Sequence, residues 1–160
     1  MSSKQKQTAP AIPVTPALAT RILDEGYGPG AWHGNDMKAA LADVTATIAY
    51  WRPGEGRHNI AEIAIHHAYY QHSVRGRLTG ATLEPFVLAG DDWFAIDDEK
   101  TMAWKKIVDV VASMQKKLAD VAGGPSILPE DERLGLLLGI TCHAVYHAGQ
   151  VQLIKALAKP

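Results

Sequence analysis

Apolar residues return at intervals of three and four along most of the chain, and the stretches between such runs are rich in glycine and proline. Thr15-Pro16 reads as a helix start, with threonine as N-cap and proline at the first helical position; that helix runs to "EGYGPG". Asn35 then caps a second segment, in which Met37, Leu41, Val44, Ile48 and Trp51 form an amphipathic stripe with a break marked by Thr45. Pro53 and the glycines around it end that segment. Asn59 followed by Glu62 resembles a capping box and opens a helix through about Leu78, just before Gly80. "LEPFVLAGDDWF" reads as a loop leading to a long helix with Trp104, Ile107, Val108, Val111, Met114, Leu118 and Val121 on one side. Lys105, Lys106, Asp109, Lys116 and Lys117 lie largely on the other, and "GGP" at 123–125 stops it. A last helix begins near Pro129, with Glu130, Asp131 and Glu132 in a first turn that suits acids, and continues to about Lys159. No strand pattern or repeat interrupts this, so the expectation is an all-α fold: a four-helix bundle with a broken N-terminal helical segment.

A chain of 160 residues suits a single domain, here residues 15–160, preceded by a polar and proline-spaced flexible arm over 1–14. Hydrophobic residues at 47% and charged residues at 21% are an ordinary globular balance. The net charge is −1, and lysine and arginine never gather into a stripe, which argues against nucleic acid as a partner. No apolar run reaches membrane-spanning length, and "MSSKQKQTAPAIPVTP" lacks the apolar middle of a signal peptide, so the expected location is cytoplasmic. The single cysteine, Cys142, cannot form an internal disulfide, in keeping with a reducing compartment. Seven histidines are the feature that changes the picture.

Two of them stand four apart in "CHAVYHAGQ". On a wheel of about 100° per residue, His143 and His147 project the same way, beside Leu136, Ile140, Val151 and Ile154. Each buried imidazole has a donor and an acceptor to satisfy, at a cost of roughly 1–3 kcal/mol if either is left unpaired. One metal ion bound by both is one solution; tyrosine, serine or backbone partners are the other. A third ligand has to come from "EIAIHHAYYQH". His67 falls nearest the centre of the stripe formed by Ile60, Ile63, Val74 and Leu78, His66 lies at its edge aligned with Tyr70 and Ser73, and the pattern does not choose between them. His72 reads as a solvated residue, and His33 and His58 as loop residues preceding helices. Sharper motifs are absent: "HAVYH" lacks the glutamate of a His-Glu-x-x-His protease, Glu62 precedes His66 by four rather than the three of a di-iron bundle, and Cys142 points about 100° from His143 and reads as a packed thiol.

"HNIAEIAIHHAYYQHSVRGRLTG", followed far downstream by "HAVYHAGQVQLIKAL", resembles the DinB-like metal-binding four-helix-bundle proteins. The likeness extends to "WHGNDMKAALADVTATIAYWRP" and "DDW", and so over most of the chain beyond residue 30. It implies a three-histidine site for a divalent ion, nickel or zinc, with His66, His143 and His147 as ligands. His67 stands where the family commonly has an apolar residue, and is the alternative to His66. The resemblance further implies a metal-dependent enzyme of hydrolase or thiol S-transferase type, with a small molecule and a low-molecular-weight thiol as partners. Tyr70, Tyr146 and Gln150 are the candidates to act beside the ion, and Gly149 would admit a neighbouring helix closely. The absence of a carboxylate next to the histidines favours thiolate attack over assisted hydrolysis, although Glu62, Asp91 or Asp92 could arrive by folding. A non-catalytic metal- or ligand-binding bundle is the alternative. Leu134, Leu138 and Val145 make a second apolar stripe on the last helix, which predicts a homodimer packed there unless the N-terminal helix covers it.

Overall fold

A computed structural model of the chain describes residues 10–158. Among these residues there are six helices and no strand: α1 (Pro16–Tyr27), α2 (Met37–Leu41), α3 (Ala46–Tyr50), α4 (Ile60–Thr79), α5 (Trp104–Ala122) and α6 (Glu130–Leu157). The all-α expectation holds. Local chemistry sets most boundaries. Thr15 accepts a hydrogen bond from the Leu18 amide, and Thr45 from the Ile48 amide, so threonine both starts α1 and restarts the chain after the short α2. The N-cap of α2 is Asp36 rather than Asn35: its carboxylate accepts from the Ala39 amide at 2.9 Å. Gly80, at φ 65°, adopts the left-handed conformation that closes α4.

Residues 1–9 of the expected arm lie outside the described residues. Of the rest, Val14 is not loose: its side chain is buried, and its amide donates to Glu130 Oε2 at 2.6 Å, tying the chain to the start of α6. Two apolar clusters form the core. One gathers Met37, Leu41, the first half of α4, Ile107, Val111 and the second half of α6; the other gathers Leu23, Val74, Leu78, Leu118, Leu137 and Ile140. α4 and α6 therefore run antiparallel between them. α1 lies along α6, closest at Gly26, where an added Cβ would stand 3.0 Å from the Ala144 Cβ. The tight approach is made here and not at Gly149, which has nothing within 4 Å of an added Cβ.

Residues 60–68 are all buried, so the first half of α4 has core on every side. Glu62 is among them, 3% exposed. Asn59 does cap α4 through the Glu62 amide at 2.8 Å, but the Glu62 carboxylate does not turn back as a capping box would. It accepts from Arg52 at 2.5 and 2.9 Å, from His58 Nδ1 at 2.9 Å and from the Ile96 amide at 3.2 Å. Burial alone would raise its pKa; the Arg52 and His58 hydrogen bonds outweigh that and hold it below the ordinary range. Asn59 also donates to the Ile96 carbonyl at 2.8 Å. The long loop before α5 is thereby fastened to the start of α4. Glu62→Ala, which leaves Arg52 and the Ile96 amide without their acceptor, is expected to lower stability by about 2–4 kcal/mol in urea denaturation, whereas Asp97→Ala, at the solvated end of the same network, costs under about 0.5 kcal/mol.

Candidate metal centre

Midway along the α4–α6 contact, three imidazoles turn the same nitrogen toward one point. His143 Nε2 stands 3.1 Å from His66 Nε2 and 3.1 Å from His147 Nε2. Candidate ligand atoms of the three residues all lie within 4.8 Å of one another. Nitrogens bound to a first-row divalent ion at ~2.1 Å and ~90–110° stand ~3.0–3.4 Å apart, so the spacing fits one ion. Three histidines lie close enough to hold a metal.

The opposite edge of each ring is also engaged. His66 Nδ1 donates to the Asp92 carbonyl at 2.9 Å, and His147 Nδ1 donates to Gln150 Oε1 at 2.6 Å. Those acceptors place the protons of His66 and His147 on Nδ1, which leaves Nε2 as a lone pair in both. His143 Nδ1 meets His67 Nδ1 at 3.1 Å. His67, at 1% exposure, is more deeply buried than His66 at 5%, and its Nε2 has no partner. The four rings divide cleanly: His66, His143 and His147 converge through Nε2, and His67 stands behind His143.

Burial drives the ring pKa values down, strongly at the fully enclosed His67 and moderately at His66. Burial and the neighbouring His147 and His66 push His143 to about 3, and burial lowers His147 to about 4 against the opposing pull of Gln150. At neutral pH the rings are neutral, the form that binds metal.

The fastened loop supplies two residues that the sequence did not assign to these roles. Asp92, at φ 60°, turns its carbonyl to His66 and its Oδ1 to the Tyr70 hydroxyl, which donates at 3.1 Å. Trp93 is sandwiched between His58 and His66, with ring centroids 3.6 and 3.8 Å away and both pairs within 7° of parallel. The "DDW" string and the expectation that folding could deliver Asp92 as a carboxylate were the hints at this segment, because loop contacts leave no periodic trace. Of the other candidates, Tyr70 is engaged by Asp92, and Tyr146, 63% exposed, accepts from Gln150 Nε2 at 3.1 Å. Cys142 is exposed rather than packed. His72 is half-buried, with an enclosed Nδ1, rather than solvated. His33 and His58 are exposed, as expected of loop residues, although His58 also joins the Glu62 network. The last-helix stripe is rotated from its expected centre: Leu137 is fully buried while Leu136 is only half so, which leaves His143 half-buried at the edge and His147 inside.

A cavity of about 470 Å³ opens beside His147, walled by Arg57, His58, Ile63, Trp93, Tyr146 and Gln150 among others. Among the described residues, no helix is long and apolar enough to cross a membrane. Comparison with family models, with curated proteins and with solved structures finds no match to this chain.

An imidazole with a depressed folded-state pKa is protonated preferentially in the unfolded chain. The associated stability is present above the ordinary value of 6.5 and is lost as pH falls toward the folded values of about 3 and about 4. Metal-free protein is therefore expected to melt at least about 5 °C lower at pH 4.5 than at pH 6.5, with a smaller drop in a His143→Gln, His147→Gln double variant, read by circular dichroism.

Proposed function

We propose that the chain is a DinB-like four-helix bundle built on α1, α4, α5 and α6, in which His66, His143 and His147 hold a divalent ion, nickel or zinc, for a thiol S-transferase or hydrolase reaction on a small molecule. The convergence of three Nε2 atoms at 3.1 Å, two of them obliged to present lone pairs, carries this reading. Such an ion, held by three protein ligands, acts as a Lewis acid that makes a thiol or water ligand more acidic.

The chain's own residues favour the thiol reaction. Of the carboxylates that folding could bring to the histidines, Glu62 is engaged by Arg52 and His58, while Asp92 accepts from Tyr70 on one oxygen. Glu62 is thereby withdrawn as a base for water. The cavity beside His147 has a substrate-sized volume, with Ile63, Leu153, Ile154 and Trp93 as apolar wall. Its charged lining is cationic, with Arg57 and no acid. Three neutral ligands leave a dication unbalanced, so a thiol that also bears a carboxylate suits the charge of the site. His58, with Nδ1 committed to Glu62, stands in the cavity wall.

Untagged protein is expected to carry close to one equivalent of divalent metal by plasma mass spectrometry, reduced at least about tenfold in His66→Ala and His147→Ala. No metal after reconstitution with nickel or zinc would overturn the site. In the loaded protein, a mercaptocarboxylate is expected to conjugate to an electrophilic acceptor about tenfold faster than an aminothiol of the same length, a preference that Arg57→Ala removes. Absence of metal-dependent conjugation across several thiols would remove the transferase reading.

A non-catalytic dimeric bundle is a second reading, favoured by one feature of α6. No charged residue stands between Arg133 and Lys155; of the expected stripe, Leu138 is exposed, Val145 is half-buried and Leu134 packs against the core cluster that includes Leu23 of α1, while Tyr146, Leu153 and Leu157 are exposed further round the helix. A helix apolar on both sides is covered twice, which supports a homodimer through this face. Light scattering is expected to give twice the chain mass, falling to one in Leu138→Arg/Leu153→Glu; a monomer mass at every concentration would remove the dimer.

A further inference from the structure

His67 is the buried histidine that the converging set leaves over. It neighbours His66 on α4, yet its Nδ1 meets the outer edge of His143 at 3.1 Å instead of reaching the common point. We infer that His67 is a positioning residue for the ion: its Nδ1 accepts the Nδ1–H of His143 and so holds that ring with Nε2 toward the metal. This inference rests on the three-histidine reading and adds a residue to it.

Each ring that is to offer Nε2 to an ion must keep its own proton on Nδ1, and that N–H needs an acceptor which also fixes the ring's rotation. The Asp92 carbonyl does this for His66 and Gln150 Oε1 does it for His147. His143 sits at equal distance from the other two and has the least burial of the three, so it has most need of a fixed partner. His67 Nδ1 is the acceptor at that edge.

The cost of the arrangement points the same way. Accepting at Nδ1 puts the His67 proton on Nε2, an enclosed nitrogen with no hydrogen-bond partner. A residue present only to fill the core would be leucine or phenylalanine, which leaves no donor stranded. A polar ring held in place at a loss of stability, with its other nitrogen on a candidate ligand, marks a role in the site.

Structural and positioning roles give opposite signs in His67→Leu. The metal-free variant is expected to melt at or above the wild-type temperature, because an enclosed ring nitrogen without a partner is gone, while zinc and cobalt affinity falls about 10–100-fold at unchanged stoichiometry. His67→Gln, which restores a carbonyl acceptor, recovers part of the affinity. In zinc-loaded wild-type protein, long-range proton–nitrogen spectra are expected to show His143 protonated at Nδ1 and His67 at Nε2; this readout needs no variant should His67→Leu fail to fold. Unchanged affinity in both variants, or a His67 proton on Nδ1 in the loaded protein, overturns the inference and leaves the three-histidine site standing. Complete loss of stoichiometry, as in His147→Ala, makes His67 a ligand and overturns the positioning role. A wild-type protein that binds neither metal overturns both.

Discussion

One buried carboxylate organises the half of the molecule that contains the histidines. Glu62 takes hydrogen bonds from Arg52, His58 and the Ile96 amide, three groups from segments with no regular structure of their own. Without a shared anion these segments would have little to fix them, since loops bury few apolar side chains. With it, residues 91–97 lie across the start of α4, bringing the Asp92 carbonyl to His66 and the Trp93 ring between His58 and His66. The outer partner of one candidate ligand thus depends on a charge network one helical turn away. Networks of this kind hold shape more than they add stability, because desolvating an ion pair offsets much of its attraction.

The helices were legible because their ends carry chemistry and their faces carry a period. Thr15, Thr45, Asn59 and Gly80 cap helices where their side chains or backbone freedom suggest, and the paired histidines of α6 lie together because 3.6 residues make a turn. The choice between His66 and His67 was not legible, for a physical reason. A helix wheel reports which side faces the core, and between Ile60 and Ala68 every side does. With both rings buried, only the position of the partner helix distinguishes them, and that is tertiary information.

The same limit explains Asp92, Trp93 and the rotated stripe of α6. Loop residues gain their roles from where the loop is fastened, and the fastening point is Ile96, an apolar residue whose backbone does the work. On α6, uncharged residues run all the way round from Leu134 to Ile154, so the wheel has no charged side to orient it, and α1 settles the rotation by pressing Gly26 against Ala144 and Thr141. Cys142 and Gly149 fall outward as a result.

The meeting of His66 with His143 joins points 77 residues apart in a chain with one cysteine. Closing a loop of that length costs an unfolded chain about 4 kcal/mol of configurational entropy. Anything that bridges those nitrogens takes the topological place of a disulfide, as a staple between α4 and α6 that opens with a chelator instead of a reductant. Its strength then follows the free concentration of the bridging species, so the rigidity of the α4–α6 seam becomes a property of the surroundings as well as of the sequence.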